Sequence, residues 1–142
     1  MMPATEVKKE IFGDGVRLSA GNCTFTFRRP RPGVLHVVII GMDSGQFGTT
    51  TLDEFRAEIA RHRPVELYID AREATGAAVS VSDEWTKFFA SHRADLSRVH
   101  VLVGSKVVQL TVAIAQHLSR TGNLIQIYSD PELFDSRAGE AG

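Results

Sequence analysis

The 142-residue sequence has the size of a single domain, and its composition excludes several classes of protein. Its 43% apolar and 23% charged residues are typical of a folded globular chain rather than a disordered one. Sixteen Lys and Arg residues nearly balance seventeen Asp and Glu residues, which argues against general binding to nucleic acid or to anionic membranes. A single cysteine, Cys23, excludes an internal disulfide and a cysteine-based zinc site.

The apolar segments are short, and this predicts a cytoplasmic protein. None approaches the roughly 20 residues that a membrane-spanning helix needs. The first ten residues (MMPATEVKKE) are polar and charged, without the apolar core of a signal peptide. We expect residues 1–13 to be a flexible segment, residues 14–135 to form one domain, and residues 136–142 to be a flexible tail.

The first part of the expected domain has the alternating pattern of antiparallel strands. Residues 16–18 and 24–27 alternate apolar and polar side chains on either side of a turn at 20–22. The segment 28–33 (RRPRPG) contains two prolines, which lack N–H donors, and is predicted to be an exposed loop. Residues 34–40 (VLHVVII) are almost continuously apolar, as in a strand that is covered on both faces.

Helices and strands alternate along the rest of the chain. A capping box formed by Thr51 and Glu54 predicts the start of the first helix, which Pro64 ends. The other predicted elements are strands at 65–70, 99–103 and 124–128, a second helix from about Ser82, a third helix after Ser105 that ends before Gly122, and a short helix after Asp130. Strands joined by single helices are parallel, with right-handed crossovers. The predicted fold is therefore α/β (α+β), a mixed sheet with antiparallel strands at its N-terminal end and helices packed on it.

Carboxylates and hydroxyls follow several of these strands, where the carboxyl ends of parallel strands meet and ligands usually bind. The members of this candidate ligand loop are Asp43, Ser44, Asp70, Glu73 and Asp130. They could hold a divalent cation or a phosphoryl group, but the same residue types are ordinary turn and cap formers. No nucleophile is paired with an evident base, and the histidines lack metal-ligand spacing. We therefore assign no catalytic residue, metal or cofactor.

A second candidate site lies at the start of the second predicted helix. A phosphoryl group on Ser80 or Ser82 would meet the positive end of the helix dipole there. Asp83 already brings negative charge to that end, and Ser82 can serve simply as the N-cap. Trp85 and the phenylalanines at 88–89 form the densest aromatic group, which either packs in the core or gives one ring to a partner surface. Ser80, Ser82, Asp83 and Trp85 are thus candidates for phosphorylation or docking.

The order and length of the elements resemble the STAS superfamily, the sulfate-transporter and anti-sigma-factor-antagonist domains, and especially small SpoIIAA-like proteins. The resemblance covers residues 14–135. The segments that carry it are the initial hairpin, GMD at 41–43, LYID at 67–70, VHVLVGS at 99–105 and LIQIYSD at 124–130.

This resemblance implies a STAS-like mixed sheet and a non-catalytic regulatory domain that docks on a protein partner, such as a kinase or an anti-sigma factor. The serine or threonine that is phosphorylated in the family corresponds to Ser80 or Ser82. The family's Asp-Ser-Ser/Thr-Gly signature is replaced here by Ser-Val-Ser-Asp at 80–83.

The leading hypothesis from the sequence is a bacterial, cytoplasmic, protein-docking domain that uses residues 77–85 and the adjoining loop at 43–48. One alternative is a small-ligand or metal-dependent enzyme built from the carboxylates at the strand ends. Another is a domain that carries an apolar ligand between helices and sheet. We expect no nucleic-acid or membrane partner, and self-pairing of the N-terminal edge strand leaves a homodimer open.

Overall fold

The computed structural model describes residues 6–141, which form one mixed sheet with helices on both of its faces. The strands are β1 Lys8–Phe12, β2 Gly15–Ala20, β3 Cys23–Arg31, β4 Val34–Asp43, β5 Val65–Ala77, β6 Leu96–Val103 and β7 Ile125–Tyr128. The helices are α1 Thr50–His62, α2 Val79–Ser91, α3 Lys106–Ser119 and α4 Pro131–Ala141, with 3-10 turns at Arg93–Asp95 and Gly122–Leu124. The strands lie side by side in chain order, antiparallel from β1 to β4 and parallel from β4 to β7. The predicted α/β mixed sheet is confirmed.

Alternate residues of the central strands enter two separate apolar cores. Leu67 and Ile69 of β5 belong to the larger core, whereas Tyr68 between them packs with Phe134 of α4 in the smaller one. Successive strand residues point to opposite faces of a sheet. Helices α1, α2 and α3 therefore cover one face, the three-helix face, and α4 covers part of the other, the α4 face.

The start of α1 differs from the prediction. The N-cap is Thr49, whose Oγ1 donates to Asp53 Oδ2 at 3.0 Å, and the helix begins at Thr50. Thr51 is buried inside the first turn, so the capping box predicted for it is wrong. The three successive threonines at 49–51 are equally good N-cap candidates by local sequence. Because Thr51 is buried beside Leu52, it lies inside the helix and Thr49 is the cap.

Both ends of α3 match the prediction, but a different residue forms the C-terminal cap. Ser105 is the N-cap and accepts a hydrogen bond from the Val108 N–H at 3.2 Å. At the other end Arg120 takes the left-handed conformation, with φ of 57°, that Gly122 was expected to supply. Gly122 instead starts a 3-10 turn, so the glycine expected as the C-terminal stop is not the capping residue.

Strand β3 continues through the segment that was predicted to be a loop. Its pairing with β2 ends at Arg28, and its pairing with β4 is irregular between Arg28 and Arg31. Pro30 falls in this irregularity, so its missing N–H interrupts no regular ladder. The loop prediction for residues 28–33 is therefore wrong for Arg28 to Arg31.

Strand β5 is longer than predicted, and α2 begins earlier. Met42 and Asp43 of β4 pair with Gly76 and Ala77, which extends β5 to the residue before the helix cap, Ala78. Ser80 and Ser82 consequently both lie in the first turn of α2. The prediction that Ser82 caps the helix is wrong, because long-range strand pairing continues almost to the helix start.

Strand β1 lies within the segment that was expected to be flexible, residues 1–13. It pairs antiparallel with β2, and Lys9 Nζ reaches Glu54 Oε1 of α1 at 3.1 Å. The guanidinium groups of Arg17 and Arg28 lie over the ring of Phe12, 5.5 and 5.1 Å from its centroid. The strand (KKEIF) is mostly charged and lacks apolar–polar alternation, so its sequence pattern did not predict it.

Regular structure also extends further at the C-terminal end. Helix α4 runs to Ala141, into the segment 136–142 that was expected to be a flexible tail. The expectations for residues 1–5 and 142 lie outside the described residues.

Candidate functional site

An apolar cavity of about 110 Å³, partly open to solvent, lies between the sheet and the helices α2 and α3. Strand side chains form its floor, including Phe25, Ile69 and Val101, and helix side chains form its roof, including Trp85, Phe89 and Val112. An engineered apolar cavity of about 150 Å³ in another protein stays dry and binds benzene. This cavity is therefore in the size range of one small nonpolar group.

The cavity exists because the second half of β5 carries small residues. Ala71, Ala74, Gly76 and Ala77 all line it, opposite the aliphatic face of α3. Longer side chains at these positions would fill the space between strand and helix. At Gly76 a Cβ atom would lie 3.2 Å from the Met42 sulfur, so Met42 leaves little room for a side chain at this position.

Asp43 is the charged residue at the edge of the cavity. It ends β4, is 6% exposed, and lines both the cavity and a second, more polar pocket of about 320 Å³ between α1 and α2. Its Oδ1 accepts a hydrogen bond from the Gly45 N–H at 3.1 Å. Burial raises the pKa of the Asp43 carboxyl above its usual value, and the bond from Gly45 opposes this shift.

The polar pocket on the other side of Asp43 contains charged and hydroxyl groups. Thr49 and Arg56 come from α1 and its cap, and Ser80 and Glu84 come from the first turns of α2. Arg56 Nη1 lies 3.0 Å from Asp53 Oδ1, so its charge is partly neutralised within α1. Asp43 thus lies where an apolar space meets a polar one.

The carboxylates of the predicted ligand loop lie on different faces of the sheet. Asp43 faces the three-helix side, as its place in the cavity shows. Asp70 lies on the α4 face, where its Oδ1 is 3.0 Å from Arg72 Nε, and Arg72 Nη2 continues to Asp135 of α4 at 2.6 Å. Asp70 therefore ties β5 to α4 and lies on the face opposite Asp43.

The other three members of the loop set make local contacts. Ser44 Oγ donates to Gln46 Oε1 at 3.0 Å in an exposed turn, and Glu73 is exposed on β5. Asp130 Oδ1 accepts from the Glu132 N–H at 3.0 Å, as predicted for the cap of α4. Among residues 6–141 there is no group of three or more His, Cys, Asp or Glu side chains placed to hold a metal ion.

The residues predicted for docking occupy different environments. Ser80 and Asp83 are exposed, whereas Ser82 is half-buried and lines the apolar cavity. Trp85 packs in an aromatic cluster, with ring centroids 5.2 Å from Phe55 and 5.8 Å from Phe89. Phe88 and Phe89 are both buried, so this cluster belongs to the core.

An exposed apolar stripe on α3 was not anticipated as a surface. Val107, Leu110, Ile114 and Leu118 recur at helical spacing and are 48–66% exposed. Val79, at the start of α2, is 79% exposed. The sequence signal was the apolar character of more than one side of α3, which contains no acidic residue. No helix within the described residues has the length and apolar character needed to cross a bilayer.

The α4 face carries a buried polar network instead of a cavity. His100 is 2% exposed, with Nε2 2.8 Å from Glu66 Oε2 and Nδ1 2.7 Å from Tyr128 Oη. Tyr68 stacks on the imidazole at a centroid distance of 4.2 Å. Burial lowers the pKa of His100, an effect that the bond to Glu66 opposes. Burial, followed by the charge of Glu66, raises the pKa of Tyr68 to about 12.

The arrangement of one mixed sheet, three helices on one face and a fourth on the other defines a SpoIIAA-like α/β domain. A solved structure with this fold is an uncharacterised protein of the DUF3478 family from Shewanella loihica PV-4. It aligns with a TM-score of 0.52 and 13% identity, over 94% of this chain and 93% of that chain. Searches by sequence found no matching family and no matching curated protein. The match confirms the fold that the resemblance implied, and at this identity it speaks to the fold alone.

Proposed function

We propose that this protein is a non-catalytic binding domain that takes a small nonpolar group between its sheet and the helices α2 and α3. The observation that carries this proposal is the apolar cavity of about 110 Å³ beneath these helices. A water molecule is stable in a cavity only with two to four polar partners, and the lining offers such partners mainly at Asp43, Ser82 and Thr111. A nonpolar occupant therefore fits the chemistry of the walls better than water does.

The expected affinity is modest. Burial of each CH₂ group contributes about 0.8 kcal/mol, so a ring or a short chain gains several kcal/mol from this site. Loss of translational and rotational freedom offsets at least about 4 kcal/mol of that gain. We expect dissociation constants in the micromolar to millimolar range for a single ring.

Methyl NMR spectra test the proposal directly. Titration with toluene should shift the methyl signals of Val101, Val108 and Val112, which line the cavity, while signals on the α4 face stay in place. Ala74→Leu places a larger side chain in the cavity and should abolish these shifts. The control is Ala113→Leu, the same substitution on helix α3 outside the cavity lining, which should retain them. Absence of saturable shifts in the wild-type protein would refute the proposal.

A second candidate function is the regulatory docking suggested by the STAS resemblance. Its support is the exposed apolar stripe of Val107, Leu110, Ile114 and Leu118 on α3, since soluble monomers seldom expose a continuous apolar patch without a use for it. We propose a protein partner, a kinase or an anti-sigma factor, and a cytoplasmic location. Ser80 is the candidate phosphorylation site, because it is exposed in the first turn of α2, whereas Ser82 is half-buried.

Site-specific photo-cross-linking distinguishes docking from an unused surface. A photoreactive residue at position 110 should link to one kinase or anti-sigma protein in the native host. The same group at Arg98, an exposed residue of β6, should not give that product. The product should also be lost in an Ile114→Ser variant. Links from position 110 only to a second copy of the chain, or to many unrelated proteins, would overturn the docking proposal.

A further inference from the structure

We propose that Asp43 anchors an amphiphilic ligand in the cavity: a single ring or short alkyl chain that carries a hydrogen-bond-donating hydroxyl or amine. This inference rests on the proposed ligand-binding function and names the class of ligand. Its basis is the position of a nearly buried carboxylate on the border between the apolar cavity and the polar pocket.

The Asp43 carboxylate has unused capacity to accept hydrogen bonds. In the described part of the chain, the N–H of Gly45 is the donor found for this group, and it binds Oδ1. A carboxylate has two oxygens that together accept up to about four hydrogen bonds. Because Asp43 also lines the polar pocket, a donor can reach its carboxylate from that side. A ligand that brings such a donor would gain a charge-assisted hydrogen bond while its nonpolar part fills the cavity.

The neighbours of Asp43 do not supply this donor. Cys23 is buried nearby, and burial together with the charge of Asp43 raises the pKa of its thiol to about 11, so the thiol stays neutral and is a weak donor. Arg56, across the polar pocket, is already paired with Asp53. Glu84 adds a further acceptor to that pocket.

These acceptors select the ligand's head group. A ligand carboxylate or phosphate would face Asp43 and Glu84, which are both acidic, and like charges at close range repel. A hydroxyl can donate to Asp43, and an ammonium group can donate and also neutralise its charge. The small volume restricts the nonpolar part to about the size of one ring, with the head group directed toward the polar pocket.

Calorimetric or NMR titration with four ligands that share one ring tests the anchor. We expect benzylamine and benzyl alcohol to bind the wild-type protein at least tenfold more tightly than benzoate. Asp43→Asn should weaken benzylamine at least tenfold and leave toluene within about threefold. Asp83→Asn, which removes an exposed carboxylate of α2, is the control and should leave all four affinities unchanged.

A pH titration of the wild-type protein keeps the test independent of how the variant folds. Benzylamine affinity should fall as pH decreases and Asp43 becomes protonated, whereas toluene affinity should not. Equal binding of all four ligands, with no effect of Asp43→Asn, would overturn the anchor and leave the proposed function standing. Failure of every ligand, including toluene, would overturn both.

Discussion

The two faces of the sheet use the same central strands in opposite ways. On the three-helix face, β5 contributes small residues such as Ala71 and Ala74, and an apolar space remains beneath α2 and α3. On the α4 face, long polar side chains of β5, β6 and β7 hydrogen-bond to one another around His100. We therefore expect binding on the face where the side chains are short. On the other face His100 already hydrogen-bonds to both Glu66 and Tyr128.

Removing an aromatic side chain from the three-helix face is expected to have the largest effect. Phe55 is fully buried, and its ring centroid lies 5.2–5.7 Å from those of Phe27, Trp85 and Phe88. Phe55→Ala should lower the free energy of unfolding by about 3–5 kcal/mol, because it removes these contacts and leaves a second cavity. Urea unfolding measures this, with Val79→Ala as an exposed control that should stay within about 0.5 kcal/mol of wild type.

The network on the α4 face is expected to contribute less to stability than the aromatic core. His100→Phe keeps the ring in contact with Tyr68 but leaves Glu66 and the Tyr128 hydroxyl without their shared partner. We expect a loss of about 1–3 kcal/mol in the free energy of unfolding. The control is His117→Phe at an exposed position. Equal stability of His100→Phe and wild type would mean that this network does not stabilise the fold.

The pH dependence of stability should also report on the α4 face. Burial lowers the pKa of His100 and of His36 below 6.5 in the folded protein. The unfolded chain therefore binds more protons just below pH 6.5, and stability falls as pH decreases through that window. One histidine changes the free energy of unfolding by at most about 1.4 kcal/mol per pH unit.

The groups around His100 define the control for this measurement. Glu66 favours its protonated form, whereas Arg98 and Arg137 disfavour it. Unfolding free energies of wild type and His100→Gln, measured from pH 5.5 to 7.5, should differ in slope, with the variant less dependent on pH. Any contribution from Asp43 is shared by both proteins and cancels in the difference. Parallel curves would contradict the assignment.

The smallest expected effect comes from filling the cavity. Ala74→Leu should raise the free energy of unfolding by about 1 kcal/mol, because new apolar contacts replace an empty space. Thermal unfolding measures the gain, and Ala113→Leu, outside the cavity lining, should show none. A clear destabilisation by Ala74→Leu would indicate that the space is too small for the added atoms.

The sequence predicted the fold well because periodicity is a local signal. Alternation at 24–27, the continuous apolar run at 34–40 and the helical spacing after Leu52 each depend on neighbouring residues. The errors arose where distant pairing decides the outcome. Strand β5 continues to Ala77 because β4 extends alongside it, and this pairing joins residues more than 30 positions apart.

The candidate site was harder to predict for the same reason. Strand-end logic identified Asp43, which the structure places at the edge of the cavity. The same logic grouped it with Asp70 and Asp130, which lie elsewhere, because it cannot tell the two faces of a sheet apart. A cavity is the space that several elements leave unfilled, so no single segment signals it. The network around His100 was missed because its partners lie 28 and 34 residues away.

Xenon binding tests the difference between the two faces most directly, because xenon enters dry apolar cavities and leaves hydrogen-bonded sites empty. A crystal of the wild-type protein pressurised with xenon should show one ordered atom between Ala74 of β5 and Val112 of α3, and none beside His100. The Ala74→Leu variant should show no xenon at that place. Absence of xenon from the wild-type cavity, or its presence on the α4 face, would contradict the account.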